Sequence, residues 1–252
     1  VGTFDNDAAS NTKLSPPAIL PPAISGLVTM NGYSFIDNSY DLDLNGGITI
    51  AANDADIKND YTNSDLDITG TVAFSHDIQV DCDGSSGELS TTGTLTISNT
   101  AKVYAGTNAT IDVPSMTIID TASLNNNGGT VNITNDIYTE TTSTLSNASG
   151  TVNVDGTFYF YNDYSSLTTA VDNNGTINID EQLLMTPRMS DDGLAEFKNT
   201  GTVNITGSTT NLLKIEDSNK FNNSGGTLTI DGTSGSGDGD IKVFESAVLF
   251  NT

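Results

Sequence analysis

The sequence predicts an all-β chain folded as a right-handed parallel β-helix, a solenoid of about nine coils with an extended Pro-rich N-terminal arm. Three observations predict it. First, one phrase keeps returning: Gly-Thr-Val-Asn-Ile at Gly129–Ile133, Gly-Thr-Val-Asn-Val at Gly150–Val154, Gly-Thr-Ile-Asn-Ile at Gly175–Ile179, Gly-Thr-Val-Asn-Ile at Gly201–Ile205 and Gly-Thr-Leu-Thr-Ile at Gly226–Ile230. Its glycines stand 21, 25, 26 and 25 residues apart. Second, aliphatic residues alternate with Thr and Asn inside the phrase, which is strand period. Third, two more short apolar segments follow each copy, separated by Asn, Asp, Gly, Ser and Thr, residues suited to tight corners.

Taken in order, Val1 to Ser25 reads as the arm. Pro16-Pro17-Ala18-Ile19-Leu20-Pro21-Pro22-Ala23-Ile24 carries four of the six prolines, and proline favours extended backbone without donors. Ile19, Leu20 and Ile24 are its apolar contacts. They are expected to dock on a neighbouring subunit, with folding back on the same chain as the alternative.

From Gly26 to Thr252 the chain reads as solenoid. Gly47-Ile48-Thr49-Ile50, Gly70-Thr71-Val72-Ala73-Phe74 and Gly93-Thr94-Leu95-Thr96-Ile97 are taken as degenerate copies of the phrase, 23 residues apart. Thr110-Ile111-Asp112-Val113 is a weakened copy, and Asn53–Asp67 is read as a polar corner insertion. The second segment of a unit is exemplified by Phe158-Tyr159-Phe160 and the third by Phe197-Lys198-Asn199. A single coil cannot bury its inward Val, Ile and Phe, whereas coils stacked ~4.8 Å apart build one continuous core. The remainder of each coil supplies the crossover that parallel strands need. The recurrent Asn ahead of the glycine should stack on itself at one corner, where side-chain amides can bond along the axis. An immunoglobulin-like sandwich also spaces strands this way, but it does not predict a recurring phrase.

Val248-Leu249-Phe250-Asn251-Thr252 matches the segment that elsewhere precedes a glycine. The last coil is therefore expected to be unsealed, leaving Val248, Leu249 and Phe250 to meet another copy. A head-to-tail contact that does not close gives a filament.

Composition narrows the function classes. Thirty-two acidic residues face eight basic ones, a net of −24, and Arg188 is the single arginine. Phosphate backbones need clustered cations, so nucleic acid and anionic membrane surfaces are expected to be poor partners. No stretch reaches the ~18 apolar residues of a membrane-spanning helix. Cys82 is the single cysteine, so no intramolecular disulfide forms. A chain that starts at Val1, poor in thiols and rich in Thr and Asn, is expected at the cell exterior after removal of an export signal.

No catalytic constellation emerges, and no enzyme is expected. Asp81–Glu88, Asp41-Leu42-Asp43 and Asp238-Gly239-Asp240 offer carboxylates to calcium but lack the spacing of a calcium loop, so they read as solvated turns. His76 has no second histidine. Asp191-Asp192 and Asp65-Leu66-Asp67 hold paired acids of the kind glycosidases use, which an acidic chain also produces by composition. Tyr159 and Tyr161, alternating with Phe158 and Phe160, should point outward and offer a sugar or protein contact, with Tyr164 nearby.

Asn-Asn-Gly-Thr-Ile-Asn-Ile at Asn173–Ile179, with its echoes at 127–133 and 199–205, resembles the repeats of secreted bacterial β-helical surface proteins, the filamentous-haemagglutinin-like and autotransporter-passenger adhesins. The resemblance covers most of residues 26–252 and implies a β-helical surface protein without supplying any site. It departs from those families in its Pro-rich arm. Three functions follow as expectations. The first is a structural subunit of an extracellular filament, assembled by coil stacking with the arm docked on a neighbour. The second is an adhesin or surface-layer segment binding glycan or protein. The third is a β-helical polysaccharide lyase or hydrolase, which the scarcity of basic residues disfavours.

Overall fold

A computed structural model of the chain describes residues 4–6, 12–14, 23–30, 34–38, 41–50, 56–59, 64–70, 72–75, 79–82, 87–162, 168–186, 194–208, 212–232, 241–244 and 246–251. The described residues hold strands and turns and no helix. The strands fall into three parallel sheets of eleven, eleven and ten, each strand pairing with its counterparts one turn before and one turn after. One turn visits the first, second and third sheet in order, as in Ile137–Thr141, Thr144–Asn147 and Thr151–Val154. The fold is a parallel β-solenoid, and the sandwich alternative is excluded.

Register carries the inward residues from turn to turn. Ile111, Val131, Val152, Ile177, Val203 and Leu228 succeed one another in the third sheet. The first five are fully buried. Strand period therefore becomes one apolar column, and three sheets of such columns make a single elongated core. The aromatic members Phe158, Phe197 and Phe221 meet inside it at ring-centroid distances of 5.0–6.0 Å. Eleven turns span about 48 Å at the usual strand spacing.

Three sequence expectations are corrected. The expected nine coils are eleven turns, because the phrase belongs to two different sheets. The copies at Gly129, Gly150, Gly175, Gly201 and Gly226 open third-sheet strands, whereas Ile48–Ile50, Val72–Phe74 and Leu95–Ile97 lie in the first sheet. Third-sheet strands such as Leu42–Leu44, Asp65–Ile68 and Glu88–Thr91 lack the Gly-Thr opening of the phrase and pass uncounted. Asn53–Asp67 is no mere insertion, since Asp56–Lys58 and the start of Asp65–Ile68 fall within it.

The arm is the third correction. Phe4–Asn6, Thr12–Leu14 and Ala23–Ile24 pair in parallel with Val28–Met30, Ser34–Asp37 and Leu42–Leu44, one in each sheet. The described parts of residues 1–25 thus form the first turn. Ile24 stands opposite Leu44 and packs, half-buried, on the chain's own core. The free edge of the second turn is a ready template, and strands in register with it bury Ile24 without a second chain. Ile19 and Leu20 lie outside the described residues.

Corners use the expected chemistry. Asn99, Asp120 and Thr141 hold left-handed φ of 56°, 64° and 55° at the corner following the first sheet in three successive turns. They also tie turns together: the Asn99 N–H donates to Asp120 Oδ2 (3.0 Å) and the Asp120 N–H to Thr141 Oγ1 (2.6 Å).

Candidate functional site

Five buried amides line the corner between the second and third sheets: Asn126, Asn147, Asn173, Asn199 and Asn223. Each Nδ2 donates to the next Oδ1, at 3.0, 2.7, 2.7 and 2.5 Å, and Asn223 passes the chain to Asn251 at 2.7 Å. The second hydrogen is used as well. Asn147, Asn173 and Asn199 donate it to the carbonyls of Thr176, Thr202 and Thr227, which begin the next third-sheet strand, at 2.9–3.0 Å. The ladder starts cleanly, because Asn126 Oδ1 accepts the Gly129 N–H at 2.9 Å. Asn38 and Asn59 repeat the pattern near the N-terminus (2.9 Å), while Ala105 holds the equivalent register position before Asn126 and pairs by backbone with Cys82. The recurrent Asn read from the sequence is this ladder.

The same corner explains the glycine. Gly150, Gly175 and Gly201 lie one above another, and a Cβ on Gly175 would press on the Gly150 carbonyl oxygen, on Gly150 N at 2.9 Å and on Asn147 Nδ2 at 2.8 Å. Glycine is needed here for close approach of successive turns.

The ladder leads to the C-terminal end, where the sequence placed Val248, Leu249 and Phe250. Leu249 stands opposite Phe221 in the inward column and is half-buried. Val248 and Phe250 align with Lys220 and Asn222, so they lie on the outer side of the second sheet, exposed by 45% and 44%. The end face itself is made by residues the sequence reading left out. Ile241 and Val243 continue the columns of Leu213 and Ile215, which are fully buried, yet are 45% and 43% exposed, no further turn standing on them among the described residues. In the third sheet Leu228 and Ile230 are half-buried, whereas Val203 and Ile205 beneath them are fully buried. Their alternation was visible in the sequence, but the turn at which stacking stops was not.

A groove on the outer face of the third sheet is the second candidate. It encloses about 580 Å³ between an amide column (Asn132, Asn153, Asn178, Asn204) and a carboxylate column that includes Asp155, Asp180 and Asp231. The outer amides bond in the opposite sense to the buried ones: Asn153 donates to Asn132, Asn178 to Asn153 and Asn204 to Asn178, at 2.7–2.9 Å. Further back the same face becomes more acidic. Burial, with Asp41 and Asp67 as neighbours, raises the carboxyl of Asp65; burial, then Asp112 and Asp65, raises that of Glu88. Mutual repulsion on this face favours its protonated forms. Among the described residues no group of three or more His, Cys, Asp or Glu side chains could hold a metal ion.

Tyr159 and Tyr161 lie on the outer side of the first sheet as expected, over fully buried Phe158 and Phe160. Tyr138 stacks on Tyr159 with centroids 4.5 Å apart and planes 3° from parallel. Burial, with Asp136 next, pushes the Tyr138 hydroxyl up to about 12. Stacking along the axis covers the inner ring faces, so this is a surface ladder rather than an open aromatic platform. Asp41 and Asp43 lie at the third sheet, while Cys82 is described by its backbone alone. His76, Tyr164, Arg188, Asp191, Asp192, Asp238 and Asp240 fall outside the described residues, as do residues 83–86 of the Asp81–Glu88 stretch.

Compared with family models, curated proteins and solved structures, the chain matches none.

Proposed function

We propose that the chain is a structural subunit of an extracellular filament or surface fibre, polymerising head-to-tail by stacking one solenoid on the next. The observation that carries this reading is the unbroken register from turn to turn. Ile111, Val131, Val152, Ile177, Val203 and Leu228 continue one inward column strand by strand, so each turn is a template for another of its kind. Apolar area next to unpaired N–H and C=O groups favours a further parallel turn. The first turn of a second copy presents the same three sheets. The N-terminal segment enters as that first turn rather than as a docked arm. The acidic surface keeps such rods apart sideways and leaves the ends as the favoured contact. A location outside the cell fits the thiol-poor, acidic composition.

The groove of Asn132, Asn153, Asn178 and Asn204 supports a second reading, an adhesin or surface-layer segment that binds glycan or protein along one face.

Electron microscopy and sedimentation of the purified chain test the first reading. Filaments are expected, and Ile241→Asp with Val243→Asp should weaken association at least about 30-fold. The melting temperature of the dispersed rod should barely move, because these side chains are already exposed. Dispersed monomers at every salt concentration, or undiminished fibres from the double variant, exclude end stacking.

A further inference from the structure

We propose that the groove on the outer face of the third sheet takes a neutral, unbranched β-linked polysaccharide laid along the rod axis, one sugar to each turn. This deepens the second reading above, that one face of the rod binds a ligand, and rests on it.

The hydrogen bonds of the two amide columns carry it. In the buried ladder both Nδ2 hydrogens of Asn147, Asn173 and Asn199 are used, one on the next amide and one on a backbone carbonyl. The outer column stops halfway. Asn153, Asn178 and Asn204 each give one Nδ2 hydrogen to the amide before, at 2.7, 2.8 and 2.9 Å. The second hydrogen of each has no acceptor among the described residues.

The facing wall carries the opposite chemistry. Asp155, Asp180 and Asp231 line it, with Thr206 standing in the turn between the last two. Their backbones are stacked, since the N–H groups of Asp180, Thr206 and Asp231 donate to the carbonyls of Val154, Ile179 and Ile205, each at 2.9 Å. Asp180 accepts from Thr206 Oγ1 at 3.2 Å, whereas the carboxylates of Asp155 and Asp231 meet no donor among the described residues. The groove therefore offers spare donors on one side and spare acceptors on the other, repeated at the strand spacing of ~4.8 Å.

Few polymers satisfy that pattern. A hydroxyl both donates and accepts, so a polyol can bond the two walls at once. An extended polypeptide presents like-facing side chains every ~6.8 Å and falls out of step with the turns. A cellulose-type chain is straight and advances by close to one strand spacing per ring. No Lys or Arg lines the groove, so an acidic polymer is repelled. The volume of about 580 Å³ falls within the ~300–1,000 Å³ of ligand clefts. No aromatic ring lines it either, so affinity is gathered from hydrogen bonds turn by turn and not from stacking on one ring.

Calorimetric titration of the chain with cellulose-type and chitin-type oligomers of two to four sugars tests this. Affinity should rise about five-fold with each added sugar, as each engages one more turn. For the tetramers, Asn178→Ala and Asp180→Ala should each weaken binding about ten-fold while the melting temperature barely moves. Tyr159→Ala, on the first sheet, should leave affinity as it was. A starch-type tetramer of α-linked glucose curls away from a straight groove and should bind markedly more weakly. Binding that ignores length or linkage, or that is lost with Tyr159 and kept without Asn178, overturns this inference while leaving a glycan-binding face intact. No heat from any oligomer at millimolar concentration overturns it as well, and leaves that second reading with a protein ligand alone.

Discussion

Asn173→Ala is expected to lower the melting temperature by roughly 10 °C, far more than any outer polar substitution. Asn173 Nδ2 donates to Asn199 Oδ1 at 2.7 Å and to the Thr202 carbonyl at 2.9 Å, and its own Oδ1 accepts from Asn147 at 2.7 Å. Truncation leaves the Asn199 oxygen buried without a donor and takes one of two acceptors from Asn147, which keeps the Thr176 carbonyl. Each buried group left unmet costs about 1–3 kcal/mol, and the void adds to that. A total of about 4 kcal/mol corresponds to that shift for a chain of this size. Asn178→Ala is the control. It also removes two amide bonds, to Asn153 and from Asn204, but on the half-buried outer face where water replaces them. Its cost should stay below about 1 kcal/mol. Equal losses at the two sites, read by thermal unfolding, would refute the distinction between the two ladders.

The second large effect is expected at Gly175. A Cβ there overlaps backbone, and backbone cannot swing aside as the end of a flexible side chain can. The Gly150 carbonyl oxygen it meets already accepts the Thr176 N–H at 2.9 Å, and the Gly175 N–H donates to the Asn147 carbonyl at 3.0 Å. Moving the turns apart breaks those bonds and the ladder beside them. Gly175→Ala should cost about 3 kcal/mol or more. Gly70→Ala is the comparison. Gly70 holds φ +103° with open space around its Cβ position, so the cost is conformational alone, about 1 kcal/mol. Because a solenoid melts in neighbouring blocks, hydrogen exchange should show protection lost first in the turns around residues 150–201. A Gly175→Ala chain as stable as Gly70→Ala would mean that the turns have room to spare.

Both predictions concern residues the sequence made conspicuous. Alternation of Val and Ile with Thr and Asn yields the strands, and the recurrence of Asn before glycine yields the buried ladder. These features are local and repeat in every turn, so a reader of the chain meets them several times over. Turn counting failed for a related reason. The first-sheet strands Val72–Phe74 and Leu95–Ile97 carry a glycine phrase by chance of corner geometry, while the third-sheet strand Glu88–Thr91 reads as acidic loop. Which sheet a strand joins is decided by its partners one turn away, not by its own residues.

The end face shows the same limit. Ile241 and Leu213 look alike in sequence and hold one column, yet one is exposed and the other fully buried. Exposure there depends on how many turns lie beyond, which no local pattern encodes. The arm illustrates the converse. Prolines at 16, 17, 21 and 22 suggested an arm docked on a neighbour, but Phe4–Asn6, Thr12–Leu14 and Ala23–Ile24 on either side of them find partners in the chain's own next turn. Pairing to an existing edge needs only two or three residues in extended form.

The central claim is that amides stacked in register, out of contact with water, fix one turn upon the next. Side-chain amide exchange by NMR tests it most directly. The Nδ2 hydrogens of Asn147, Asn173 and Asn199, each held by an amide oxygen and a backbone carbonyl, should persist in deuterated solvent as long as the backbone amides of the neighbouring strands. Those of Asn153 and Asn178 on the outer face should exchange at once. Rapid exchange of the inner set would contradict the account.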